Sequence, residues 1–334
     1  MNQDIYIDKE LISQGQKKVS LSRRLIVTGI KFSISAILIY WILHKTAVTE
    51  ILNIMKSADM YLLVIAYSLL FVGNTISTFR WKILLKAQGT KAPFFYLFKS
   101  YLIGLFFSNL LPSTIGGDTV RIYDSWRIGR SKGKAVAVIF VDRLLGFFAL
   151  ILFALGALTV SNNLTRDLPF LYFWLIPGGA TMAFVIWLIF SQKQKIPGFL
   201  TKIKVPFGRK IQSIVKKILD AFKAYQGNRI APLKAFGLSI LLQTNVVIHY
   251  YIISRALDLQ VSIYDYFLIV PLTLFIMMIP ISINAIGLRE NAFAFFLASF
   301  SVTKADAVAL AWIAYGFVII QGLVGGIVYA FRRK

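Results

Sequence analysis

Long apolar stretches separated by short polar connections make up most of this chain. They run at about 25–43, 60–79, 94–111, 134–160, 169–190, 232–254, 264–283, 285–300 and 305–331. Crossing ~30 Å of hydrocarbon takes ~20 helical residues at ~1.5 Å each. The stretches 25–43, 60–79, 134–160, 169–190, 232–254 and 305–331 meet that length; the others are short or interrupted by Pro, Gly and charge. Residues 205–225 carry a different pattern. Ile211, Ile214, Val215, Ile218, Leu219 and Phe222 recur at helical spacing with lysines between them. That predicts an amphipathic helix, lying either on the cytoplasmic leaflet or against the cytoplasmic ends of the spans.

Composition narrows the class. The chain is 57% apolar and 15% charged, with a mean hydropathy of +0.71, against ~45–50% and ~25% for soluble domains. A soluble fold of this size cannot hide so much apolar surface, and the same excess excludes disorder. The expected fold class is all-α, a polytopic helical membrane protein. The net charge of +23 would suggest a nucleic-acid partner in a soluble chain. Here the basic residues sit between apolar stretches, where they orient the chain and attract anionic lipid, so no nucleic-acid partner is expected. The absence of Cys removes disulfides, thiolate metal sites and a Cys nucleophile.

Lys and Arg set the orientation. Residues 1–24 hold Asp4, Asp8 and Glu10 before a basic cluster, and the run after them ends in HKTAV. This reads as a cytoplasmic segment followed by a retained span, not a cleaved signal. The connection 191–230 is rich in Lys and is expected in the cytoplasm, as are 80–91 and the basic end at Arg332, Arg333 and Lys334. Residues 161–168 and 257–263 carry few bases and are expected outside. Six spans with both termini in the cytoplasm of a plasma-membrane protein satisfy these assignments. Arg121, Arg127, Arg130, Lys132 and Lys134 would fall on the wrong side if 94–111 were a full span. The conflict disappears if 94–131 is a re-entrant hairpin entering from the cytoplasm and turning at PSTIGG. By the same logic, 264–300 enters from outside and turns at PISINAIG. Together they give one transmembrane domain over 25–331. Irregular backbone at membrane depth is tolerated only where protein or water covers it, so both turns are expected to line a cavity.

The candidate substrate-binding residues lie at these turns. In the first, Asn109, Pro112, Ser113, Gly116, Gly117, Asp118, Arg121 and Tyr123 fall within NLLPSTIGGDTVRIY. Pro112 ends a helix, Gly116 and Gly117 permit unusual backbone angles, and Asp118 stands where an N-cap belongs. The helix N-terminus that follows suits an anionic group such as a lipid phosphate, and Arg121 is one turn from Asp118, close enough to pair. The second turn repeats the grammar with Ser282, Asn284, Gly287, Arg289 and Glu290. Two Pro/Gly-broken segments in opposite halves are the pattern of transporters with inverted repeats, and ionisable residues within a membrane segment are usually functional. Arg143, beside Asp142, faces the hairpin cavity or forms an interfacial pair. Arg80-Trp81 reads as an interface anchor, and Gln243, Asn245 and His249 as interhelical hydrogen bonds. No catalytic, metal or cofactor motif is present.

NLLPSTIGGDTVRIY, then AVAVIFVDRLLGF, then IPISINAIGLREN resemble the lysylphosphatidylglycerol synthase transmembrane-domain family, also called flippase-like, over about 25–331. The resemblance implies that Pro112, Gly116, Gly117, Asp118, Arg121, Arg143, Pro280, Asn284, Gly287, Arg289 and Glu290 are motif positions. It further implies movement between leaflets of an anionic phospholipid or a polyprenyl, aminoacylated or glycosylated lipid, a role in antibiotic resistance, and a homo-oligomer or a partner synthase. Full-length synthases add a soluble aminoacyltransferase domain. The sequence ends at Lys334, so the expectation is lipid translocation without it, with a membrane-embedded transferase, phosphatidylglycerol lysyltransferase-like or polyprenyl-phosphate glycosyltransferase-like, as the alternative. Ala285 and Ile286 stand where a more Gly-rich turn is expected.

Overall fold

A computed structural model describes residues 21–44, 48–110, 115–157 and 230–332, with 176, 178–180, 182–183, 225 and 227–228 between them. The described residues are helical and contain no strand. In chain order the helices are α1 Leu21–His44, α2 Val48–Ser57, α3 Met60–Ala87, α4 Phe94–Leu110, α5 Ile115–Gly129, α6 Lys132–Ala157, α7 Ile230–Ala256, α8 Ile263–Met277, α9 Leu288–Leu297 and α10 Lys304–Ala330. A short 3-10 turn, Ala298–Phe300, follows α9.

Four helices, α3, α6 (over Lys132–Gly156), α7 and α10, are long and apolar enough to cross a membrane. They match four of the six expected spans. α1, 24 residues long, overlaps the expected span at 25–43. The expected span at 169–190, the amphipathic helix at 205–225, and Pro112 and Ser113 lie outside the described residues, apart from the isolated positions named above. α4 and α8 are apolar but short, at 17 and 15 residues. Each is followed in the chain by a second helix, α5 and α9.

Local chemistry sets the ends. Asp59 caps α3 by accepting from the Tyr61 and Leu62 amides at 2.8 and 3.2 Å, and Thr303 caps α10 through the Asp306 amide at 3.2 Å; such caps satisfy donors that a helix start leaves open. The break between α8 and α9 runs from Met278 to Gly287 and places Asn284, Ala285 and Gly287 at φ 50°, 58° and 81°. Left-handed backbone suits Gly287 and is accessible to Asn284, whereas Ala285 adopts it at a cost of about 1–2 kcal/mol.

α3 packs along α7, and α10 along α4. Two apolar clusters stand at different levels. One joins Ala66, Ala154, Val247, Tyr266, Phe293 and Leu310; the other joins Trp81, Leu84, Leu97, Val138, Val141 and Ala235. Between them, along α3, α6 and α7, lie Ser77 and Arg80, Asp142 to Leu150, and Ser239 to Gln243. Asp142 is ten residues into α6, or about 15 Å along its axis at 1.5 Å per residue. Polar groups thus occupy a middle layer between two greasy ones.

The α4–α10 contact needs small residues. A Cβ on Gly325 would lie 2.0 Å from the Leu102 carbonyl oxygen, whereas one on Gly316 would meet nothing within 4 Å. Close helix approach without a hydrophobic driving force depends on such positions. Gly325→Ala is expected to lower thermal stability in detergent by about 1–3 kcal/mol, the usual range for overpacking, with Gly316→Ala near wild type; a thermal-shift series on the purified chain measures both.

Candidate functional site

The loop after α8 meets the end of α4. Asn284 in that loop donates from Nδ2 to the Asn109 carbonyl oxygen, at 3.0 Å, and Asn109 Nδ2 donates to the Val318 carbonyl of α10, also at 3.0 Å. The side chains around this junction line an open cavity of about 490 Å³, within the ~300–1,000 Å³ typical of small-molecule sites. Helices α3 to α8 and α10, the loop after α8 and the start of α9 all contribute to its wall.

One side of that wall is a ribbon of alternating charge. Arg80 Nε donates to Asp142 Oδ1 at 2.5 Å, and Arg121 Nη2 donates to Asp142 Oδ2 at 2.8 Å. Arg121 lies 3.7 Å from Asp118, and Arg143 Nε donates to Asp118 Oδ2 at 2.7 Å. The order is therefore Arg80, Asp142, Arg121, Asp118, Arg143. Asp142 is only 1% exposed, and each of its oxygens holds a different guanidinium. Arg80 is fixed further by Ser239 Oγ at 2.9 Å. Arg121 packs its guanidinium against Trp81 and Tyr101, 4.8 and 5.3 Å from the ring centroids.

The other side differs. Arg289, at the start of α9, lies over the Tyr315 ring at 4.3 Å and donates from Nη2 to the Asn284 carbonyl at 3.1 Å. No carboxylate among the described residues comes within ion-pairing distance of it. Leu105, Phe147, Leu150, Leu274, Met277 and Met278 complete the lining with apolar surface. The site is amphipathic: a charged region joined to a hydrocarbon-like wall.

Seven of the sequence candidates line this cavity: Asn109, Gly117, Asp118, Arg121, Arg143, Asn284 and Arg289. The others do different work or lie apart. Gly116 and Gly117 sit in the first turn of α5 and are not at positive φ. What Gly117 provides is closeness, since a Cβ there would be 2.6 Å from the Gly104 carbonyl oxygen. Asp118 is inside that first turn, not its N-cap, where a carboxylate still favours the helix start. Its firmer partner is Arg143, not Arg121. Glu290 is buried but outside the cavity lining; its Oε2 accepts from the Gly287 amide at 2.7 Å, so it closes the start of α9. Tyr123 is exposed and packs edge-on against Trp126. Ser282 is buried and is not among the cavity residues.

Some cavity residues escaped the sequence reading. Arg80 and Trp81 are buried, not an interface anchor. Asp142 and Arg143 pair with other partners instead of with each other, and Tyr101, Tyr315, Ser239 and Gln243 were not assigned to a site. The available signal was the depth of Arg80 and Asp142 inside long apolar helices, where an unpaired charge is costly. Asn245 and His249 make interhelical bonds, to the Leu69 and Ala66 carbonyls at 3.0 and 2.8 Å.

The sequence matches the family model described as "Lysylphosphatidylglycerol synthase TM region" over residues 28–325. It is also similar to the UPF0104 membrane protein MJ1595 of Methanocaldococcus jannaschii, with 28% identity over 134 residues. That match covers 39% of this chain and 40% of the relative, so the chain spans well under half of the relative's length in the alignment.

Asp142 is the joint of the ribbon. Removing one partner of a buried ion pair costs about 3–5 kcal/mol, because the charge left behind is uncompensated. Asp142→Asn is therefore expected to destabilise the protein by about that amount, whereas Asp306→Asn, on an exposed helix start, should lose no more than about 1 kcal/mol. Thermal or chemical denaturation of the two variants in matched detergent gives the comparison.

Proposed function

This polytopic membrane protein belongs to the lysylphosphatidylglycerol synthase transmembrane family, and on that premise we propose that it is a lipid transporter that carries head groups between leaflets. In this reading the α4–α5 and α8–α9 hairpins are re-entrant and enter from opposite faces of the cell membrane. Both termini are cytoplasmic, and the cavity where the hairpins meet holds the head group while its apolar wall receives the chains. The observation that carries the reading is the Asn284–Asn109 junction beside a buried arginine ribbon. Charges placed that deep are costly unless paired or hydrated, and a polar cavity removes the several kcal/mol that a bare head group loses in hydrocarbon. Rocking of one half against the other supplies alternating access.

The geometry favours transport over the transferase alternative. A head-group transferase needs a base, and the nearby carboxylates are engaged. Asp118 and Asp142 are held by arginines, and Glu290 accepts from a backbone amide. None stands ready to take a proton.

In proteoliposomes of the purified chain, fluorescent phosphatidylglycerol placed in the inner leaflet should reach the outer leaflet faster than in protein-free vesicles. Arg143→Gln, exposed enough to leave the fold intact, should slow that movement by about tenfold. Rates equal to those of empty vesicles would remove the transport reading. Product formed by the chain alone from an aminoacyl or sugar donor would install the transferase in its place.

A further inference from the structure

We infer that the cavity takes a doubly anionic phosphomonoester head group and disfavours diester and aminoacylated ones; this rests on the transport reading and narrows its substrate. The first ground is charge. The described lining holds four arginines, Arg80, Arg121, Arg143 and Arg289, against two aspartates, Asp118 and Asp142, leaving an excess of two positive charges. A phosphomonoester carries about −1.5 to −2 at neutral pH and matches that excess. A diester supplies one negative charge. A lysyl head group adds positive charge to a chamber in which both aspartates already hold guanidiniums.

Unmet donors give the second ground. Arg289 is 6% exposed, and its Nη1 has no hydrogen-bond partner among the described residues; the same is true of Arg121 Nε, also on a 6% exposed residue. A buried donor without an acceptor costs about 1–3 kcal/mol, more when charged. Such a cost is relieved when an incoming anion supplies the acceptor. Both guanidiniums have an aromatic face behind them, Tyr315 for Arg289 and Trp81 with Tyr101 for Arg121. That stacking holds the flat fork of each side chain in a fixed plane and so fixes the direction of its unmet donor. The two arginines come from different broken helices, so one phosphate would tie the halves together.

A four-probe comparison on the full-length purified chain tests this. Binding and vesicle transport are measured for fluorescent phosphatidic acid, phosphatidylglycerol and lysylphosphatidylglycerol, and binding alone for inorganic phosphate. Phosphatidic acid should bind and move at least about tenfold better than phosphatidylglycerol, with the lysyl lipid poorest. Arg289→Gln should erase that preference, and Arg289→Lys should restore part of it. Because the ranking is read on the unmodified protein, it stands even if a variant misfolds. Equal handling of the lipids, or preference for the diester or the lysyl form, overturns the inference while leaving lipid transport in place. Binding of inorganic phosphate without transport of any lipid keeps the phosphate chemistry and removes the lipid as its source. Binding of neither phosphate nor phosphatidic acid overturns the inference.

Discussion

Asp142 must be charged, buried and satisfied at once, and much of the arrangement around it follows from that demand. A carboxylate in a low-dielectric interior is tolerable only when opposite charges and donors surround it. Arg80 arrives from α3 and Arg121 from α5, so the single residue ties both helices to α6. The net positive charge that remains is carried sideways, through Asp118 to Arg143. Without the clamp, two guanidiniums would sit between apolar clusters without their nearest counter-charge. With it, a cavity can persist at a level where helices normally seal against one another.

A second clasp holds the hairpin at its other end. Asp124 on α5 is completely buried and accepts from both Nη atoms of Arg332, at 2.9 and 2.8 Å, and from Ser100 Oγ at 2.5 Å. Arg332 also donates to Tyr96 Oη at 2.8 Å. A bidentate arginine–carboxylate pair is geometrically exacting, so α5 is registered against both α4 and the end of α10. The α4–α5 pair is thus tied at one end by Asp124 and toward the other by Asp118 and Arg121, and the cavity lies on the side of the latter.

The sequence carried the residues of the two candidate turns more openly than it carried their pairing. Pro, Gly and neighbouring charges punctuate 109–121 and 280–291, and such punctuation is local, so reading it needs no knowledge of the rest of the chain. Pairing is not local. Asp142 and Arg143 are adjacent, which suggests a pair, yet successive helical residues point about 100° apart, and each finds its partner on another helix. Arg80 pairs across 62 positions, a distance at which sequence pattern says nothing about facing. Gly117 was legible as glycine but not for its reason: the first turn of α5 is regular, and what the site requires is the close passage of Gly104. Glu290 was legible as a charge beside the second turn but not for its work, which is to accept from the amide of left-handed Gly287.

The two hairpins are not equivalent, and the difference has mechanical content. The first brings both a carboxylate and a guanidinium to the cavity and is bound to α6 by ion pairs. The second brings a guanidinium and an amide, and among the described residues a neutral hydrogen bond from Asn284 to Asn109 links it to the first. A neutral hydrogen bond contributes about 1 kcal/mol, far less than the buried ion pairs on the other side. If the halves move relative to each other, the weaker seam is where they part. An anion bridging Arg121 and Arg289 would strengthen that seam when bound and release it on departure. Occupancy and conformation are then coupled by the difference in affinity between the joined and parted states, which is the only means by which a ligand can shift such an equilibrium.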